Sequence, residues 1–307
     1  MAQPPFSNLQ LVEQVDSWPY FTKDPDAYKK HMLGYHYFFI QGYSQPFGYV
    51  HNRFVSAMEW PEYCRLMNET LRFNHESQKV PTLRHWANEE LPIYTSTGEH
   101  VLDFDGCGVD MFGIVNYSVH MTGWVMTAEG IKIWVPRRAM DKMSFPGMLD
   151  NTVGGSLATR EKAIDGIVRE CEEEICLAPA YTRSNIRACS TNSFQLTVTD
   201  LLEPACQHQV QYLYEIELGQ DIVSKIGDGE VGELNLLSIE QLLAAMRNDE
   251  VKLTCNMTYL ALLVRHGYIN AENEPNLVEI CSRLHCRHEA LRCLSPDPLH
   301  GRWSSGL

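Results

Sequence analysis

Residues 155–177 read Gly-Ser-Leu-Ala-Thr-Arg-Glu-Lys-Ala-Ile-Asp-Gly-Ile-Val-Arg-Glu-Cys-Glu-Glu-Glu-Ile-Cys-Leu. At about 100° per helical residue, Ile164, Ile167, Val168, Cys171 and Ile175 align as one apolar stripe. Glu170, Glu173 and Glu174 then share an arc roughly 100° wide beside it. Three carboxylates so close repel one another. A hard cation that prefers oxygen ligands, such as Mg²⁺ or Mn²⁺, relieves that repulsion. Arg169 lies four residues before Glu173, within reach of its carboxylate. Glu172 and Asp165 point to the far side as solvated charges. Gly154 and Gly155 precede the helix, where a tight turn brings backbone groups up to a phosphate or a metal.

A run of three glutamates by itself describes a charged surface helix. Its fixed register with Gly155, Glu161 and Arg169 changes the reading. That register resembles the Nudix box: Gly, five residues, Glu, seven residues, Arg-Glu, an apolar residue, any residue, Glu-Glu, any residue, Gly, apolar. Gly155, Glu161, Arg169, Glu170, Glu173, Glu174 and Leu177 match, and Cys171 fills the apolar slot. Cys176 replaces the second glycine. This is a helix-ending position, so the departure concerns local backbone rather than metal ligands. The resemblance implies an α/β/α sandwich with a mixed sheet and hydrolysis of a diphosphate linked to another group.

The chain has 307 residues, room for two domains or one large one. Apolar residues make up 44% and charged residues 21%, the balance of a soluble globular protein. The net charge of −14 argues against a nucleic-acid backbone or an anionic membrane as a standing partner. A small anionic substrate remains compatible, because a metal ion reverses the field locally. Ten cysteines occur without a Cys-x-x-Cys pair, which suggests reduced thiols in an intracellular, cytoplasmic protein. Cys281, His285, Cys286 and His288 do not have the spacing of a closed zinc site. The N-terminus has neither a basic nor an apolar leader region, and no apolar run is long enough to span a bilayer.

Residues 1–110 read as a smaller N-terminal α/β domain, with helices expected over Leu9–Trp18 and Trp60–Leu71 and strands over Tyr35–Ile40 and Gly48–His51. The scattered His31, His36, His51, His75 and His85 suggest packing or surface positions. Asp105, Gly106, Gly108 and Asp110 mark the domain joint. The catalytic domain is expected over 111–289, followed by a tail over 290–307. Within it, Ile114–His120 and Gly123–Met126 read as two strands meeting at Met121–Thr122, and Ile131–Val135 as a third. Further strands are expected at Ile186–Ser190, Phe194–Thr199 and Gln209–Leu218. Helices follow over 238–247, begun by Ser238, and over 254–266.

Several segments carry a narrower resemblance. They are Phe112–His120, Trp134–Arg138, Pro146–Asn151, Asp228-Gly-Glu-Val231 and Arg265-His-Gly-Tyr268. Together they are similar to the fungal and plant Nudix proteins related to thiamin pyrophosphokinase. That resemblance implies a Mg²⁺-dependent diphosphatase converting thiamin diphosphate, and its oxo and oxy damaged forms, to monophosphates. On this reading Glu170, Glu173, Glu174 and the Gly155 carbonyl hold Mg²⁺ (or Mn²⁺), while Glu161 and Arg169 brace them. Glu174, Glu230 and Glu233 are the candidate general bases. Arg137 or Arg138 suits a phosphate. His120 and Trp124 are candidates to flank a cationic ring, and Asn116 and Gln209 to read a pyrimidine edge. Two other readings stay open: a nucleotide-type diphosphate as substrate, or a Nudix-like domain that binds without catalysis.

Overall fold

The computed structural model describes residues 5–60, 67–84, 86–141, 145–198, 204–219, 227 and 231–286. They fall into two compact units. One comprises the described residues up to Ser17 together with 116–196 and 209–286; the other comprises 18–115 with the described part of 197–208.

Helix α1 (Asn8–Val15) opens with a capping box: Gln10 N–H donates to Ser7 Oγ (3.2 Å) and Ser7 N–H to Gln10 Oε1 (2.8 Å). The chain then builds the second unit. Its elements are α2 (Pro25–Met32), β1 (Tyr35–Phe39), β2 (Pro46–His51), α3 (Asn52–Ala57), α4 (Met67–Ser77), β3 (Glu90–Tyr94) and β4 (His100–Asp105). β1 pairs antiparallel with β2, and β3 with β4. Aromatic rings fill the interior. Trp18 meets Tyr35 at 4.9 Å and Tyr49 at 5.2 Å, and Phe112 meets Phe38 and Phe104 at 5.2 Å each. The expected helix over Trp60–Leu71 is described only from Met67 and runs on to Ser77.

The rest of the chain forms the first unit. It runs β5 (Val115–Thr127), β6 (Gly130–Arg138), β7 (Val153–Ser156), α5 (Ala163–Ile175), α6 (Pro179–Asn185), β8 (Arg187–Val198), β9 (Ala205–Glu217), β10 (Val231–Ser238), α7 (Ile239–Arg247), α8 (Cys255–Arg265) and α9 (Leu277–Arg283). The sheet order is β10-β6-β5-β9-β8, with β7 paired antiparallel to β5. β10 with β6 and β6 with β5 are antiparallel, and the bridges Leu149 to Val251 and Ser193 to His285 are parallel. The expected mixed sheet with helices on both faces is therefore present. Val119 of β5 packs with Ile167, Cys171 and Ile175 of α5. The adjacent His120 sits, through Asn151 and Gln211, in the hydrogen-bonded group that includes Thr258 of α8. Each fully buried Ile, Leu or Val contributes about 1.5–3 kcal/mol.

Three local expectations change. β5 is one strand, not two meeting at Met121–Thr122. Both residues are buried, and no turn chemistry interrupts a segment covered on both faces. β8 is likewise continuous through Arg187–Val198. Helix α1, expected in the N-terminal domain, belongs to the first unit. Leu11, Val12 and Val15 are wholly buried, and the helix packs on α7, α8 and α9. Phe6 N–H donates to Arg247 O (2.8 Å), Asn8 Nδ2 to Glu274 Oε2 (2.9 Å) and Arg283 Nη1 to Asp16 Oδ2 (3.1 Å). The unit boundary falls after Val115, five residues beyond the expected joint. Among the described residues, no helix is long and apolar enough to cross a membrane.

Candidate active site

The apolar stripe fixes α5 on the sheet: Ile167, Val168, Cys171 and Ile175 are buried, with Ile164 partly so. The glutamates are thereby held to the edge of the packed face. Cys176 ends the helix in the left-handed region, at φ 56° and ψ 32°. Its N–H donates to Glu172 O (3.1 Å), and Leu177 N–H donates to Cys171 O (3.0 Å). The chain thus makes the glycine-type helix end without the glycine.

Arg169 gathers three carboxylates. Its Nε and Nη2 donate to the two Glu161 oxygens at 3.0 and 3.1 Å, and Nη1 donates to Glu170 Oε1 at 2.8 Å and Glu173 Oε2 at 3.1 Å. Hydrogen bonding to Glu161, then the charges of Glu170 and Glu161, raise the guanidinium pKa against the opposing effect of burial. Glu161 also accepts from Ala158 N–H at 3.2 Å, which ties the turn before α5 to the helix.

β7 passes this cluster through two glycines, each required by close approach. His120 is the cross-strand partner of Gly154, and a Cβ there would stand 2.5 Å from His120 Nδ1. A Cβ on Gly155 would overlap the Glu170 carboxylate. Nothing but backbone therefore separates Glu170 from β7. Glu174 is buried at the far end of the cluster and lines a cleft with Pro136, Arg138, Asp150, Asn151 and Gly154. Gly227 N–H donates to Glu174 O at 2.9 Å.

Residues 119–257 match the family model described as the NUDIX domain. The chain carries a Nudix domain. Over 92% of its length it is 28% identical to the uncharacterised protein YJR142W of Saccharomyces cerevisiae, covering 91% of that protein. It is also 28% identical to Nudix hydrolase 20, chloroplastic, of Arabidopsis thaliana, over 69% of this chain and 55% of that one. The chain thus spans just over half the length of that plant relative. Among solved structures, DR0079 of Deinococcus radiodurans aligns with a TM-score of 0.43 at 24% identity, covering 59% of this chain and all of that one. The Nudix domain and its Nudix hydrolase relatives place the chain with hydrolases that act on pyrophosphate bonds.

The Nudix site residues separate into groups. Glu161, Arg169, Glu170 and Glu173 are joined in one network, Gly155 touches it, and Glu174 faces the cleft. Among the described residues, no three acidic, His or Cys side chains stand close enough to enclose an ion as placed, because Glu170 and Glu173 turn toward Arg169. The donors still suit a hard divalent cation. They are carboxylate oxygens, and Glu170 lies against Gly155, where no side chain comes between carboxylate and backbone. Glu170, Glu173, Glu174 and the Gly155 carbonyl are the residues that would hold it.

The two adjacent arginines point to different partners. Arg138 lines the cleft and donates to Asp150 Oδ2 at 2.6 Å. Arg137 donates to Gly147 O at 2.7 Å and pairs with Glu233 at 3.5 Å, whose side chain is 61% exposed. Glu230 lies outside the described residues. His120 is buried, with Nδ1 2.7 Å from Asn151 Nδ2 and Nε2 3.1 Å from Gln211 Nε2 and 3.2 Å from Ser118 Oγ. Burial, then the Lys252 charge, lower its pKa to about 3, and Asp150 opposes this only in part. Trp124 stands edge-on to His266 at 6.0 Å. Asn116 Nδ2 donates to Ser156 Oγ at 3.2 Å, and Gln209 Oε1 accepts from Gln211 Nε2 at 3.3 Å. His288, of the rejected zinc spacing, lies outside the described residues.

Sequence reasoning gave no role to Asp150, Asn151, Lys252, Cys255 or Tyr259, which meet behind the cleft. Asp150 and Asn151 stand in the segment Pro146–Asn151 already noted for its resemblance. Their signal was an adjacent acid and amide in a short loop after the arginine pair. Lys252 carries no local signal at all.

Proposed function

We propose that the chain is a Mg²⁺-dependent diphosphatase that converts thiamin diphosphate, including its oxo and oxy damaged forms, to the monophosphate and phosphate. The observation that carries the diphosphatase reading is the Arg169 network, which sets Glu170 and Glu173 beside Gly155 while Glu174 is buried on the cleft. The thiamin substrate rests on the sequence similarity of residues 112–289 to the thiamin-pyrophosphokinase-related Nudix proteins.

When bound, the divalent ion supplies charge neutralisation of the diphosphate and acidifies the attacking water. The chain's own residues do the rest. Arg169 and Glu161 hold the carboxylates in place. Arg138 presents its guanidinium to the cleft, where a phosphoryl oxygen can take its hydrogen bonds. Glu174 is the general base: it faces the cleft from a buried position, whereas Glu233 is exposed and paired with Arg137.

Phosphate release from oxythiamin diphosphate with Mg²⁺ tests the reading. Glu173→Gln and Glu174→Gln are expected to lower kcat by about 10²-fold or more. Undiminished turnover in both would reject the site. Turnover of nucleotide-type diphosphates with none of thiamin diphosphate or its damaged forms would reject the substrate.

A further inference from the structure

Two cations share one carboxylate behind the cleft. Arg138 Nη1 donates to Asp150 Oδ2 at 2.6 Å, and Lys252 Nζ stands 3.6 Å from the same oxygen. The other oxygen, Oδ1, accepts Asn151 N–H and Cys255 S–H, both at 2.8 Å. Tyr259 O–H donates to the Asp150 carbonyl at 2.7 Å. Asp150 is thus fixed on every side. Burial works to raise its pKa, but Lys252 and then Arg138 hold the carboxyl well below the usual range. It is an anion, and it cancels one of the two cations.

The surplus charge belongs with Lys252. Burial opposes its ammonium, yet Asp150 foremost, with a smaller contribution from Glu174, raises its pKa above the ordinary value. At 3.6 Å its contact with Asp150 is an ion pair too long for a hydrogen bond. Among the described residues no side chain or carbonyl takes a hydrogen bond from this ammonium. It has three donors to give. Its side chain is 22% exposed, beside a cleft that Arg138, Asp150 and Glu174 line. A half-enclosed cation with unspent donors next to an arginine suits an oxyanion.

We propose that Lys252 and Arg138 form the seat for one phosphoryl group of the substrate, with Asp150 as the buttress that fixes their spacing. This deepens the diphosphatase reading and rests on it. The guanidinium offers planar paired donors, and the ammonium offers a point charge with freely rotating donors. Together they can bind two oxygens of one phosphoryl group.

The test uses the full chain and imidodiphosphate, a diphosphate whose bridging nitrogen resists hydrolysis, titrated calorimetrically without divalent ions. Lys252→Met is expected to weaken binding by about tenfold or more, and Lys252→Arg to stay within about threefold of wild type. In turnover, Lys252→Met is expected to raise KM with kcat nearly unchanged. Wild-type protein that does not bind imidodiphosphate would overturn the seat. So would Lys252→Met protein that binds as tightly as wild type, whatever its melting temperature. Should Lys252→Met not fold, Arg138→Lys gives the second reading: the same tenfold loss supports the seat, and unchanged affinity overturns it. Binding that depends on Lys252, in a wild-type protein that hydrolyses no diphosphate, would reject the hydrolase reading and leave the seat. Diphosphate hydrolysis with Lys252-independent binding would do the reverse.

Discussion

His120 shows how much a single side chain can carry. Its ring is buried against Gly154 and held by Asn151, Gln211 and Ser118. With a folded pKa near 3 it stays neutral, while the unfolded chain titrates near the ordinary histidine value of about 6.5. The unfolded state therefore binds the extra proton first as pH falls. Stability from this group is complete above about 6.5 and drains away down to about pH 3, reaching a loss of about 2 kcal/mol by pH 5. Urea unfolding at pH 7.5 and pH 5 checks this. His120→Gln is expected to flatten the difference by that amount. The sequence marked His120 as a possible ring partner because a histidine in a strand is conspicuous. Its burial followed from two facts that sequence does not show: the cross-strand partner is a glycine, and α8 covers that face. Lys252 is the opposite case. Nothing beside it distinguishes it from a surface lysine, and only the parallel bridge of Val251 to Leu149 brings it to Asp150.

At the scale of elements, α5 was the most legible part of the chain. Its stripe, its glutamate arc and its end all follow from a period of about 3.6 residues. Five of the residues on that stripe do face the core or pack beside it. The strands were less legible. β5 and β8 read as pairs of short strands because alternation fails once both faces are covered, and burial then no longer tracks parity. The end of α5 supports a specific expectation. Cys176 holds a left-handed conformation that costs a side-chain-bearing residue about 1 kcal/mol. Cys176→Gly is expected to raise stability by a few tenths to about 1 kcal/mol, because glycine's greater unfolded-state entropy offsets part of the relief. Chemical denaturation should show a higher midpoint at unchanged slope, with diphosphatase activity preserved.

Across the whole molecule, domain order along the chain and domain membership in space differ. The sequence showed the joint near residue 110 through its glycines and aspartates, and the structure places the change after Val115. It did not show that α1 belongs to the first unit, because an amphipathic helix states which face it buries but not against what. The consequence can be measured. A chain beginning at residue 111 lacks the helix that buries Leu11, Val12 and Val15 against α7–α9. Such a fragment is expected to melt well below the full protein or to aggregate, and a synthetic peptide of residues 5–17 added in excess should raise its melting temperature. Equal melting of the fragment and the full chain would show the helix to be dispensable.

The same helix sets a condition on how the protein is made. α1 leaves the ribosome first, but its partners are among the last segments translated: Arg283 and Asp16 are separated by 267 positions, and Asn8 and Glu274 by 266. The N-terminal apolar stripe must wait through nearly the entire period of synthesis before it is covered. Contacts so distant in sequence form slowly, and the waiting segment is the kind of surface that chaperones engage. Nascent chains halted before residue 239 should therefore keep α1 accessible to protease, and release of the finished polypeptide should close it.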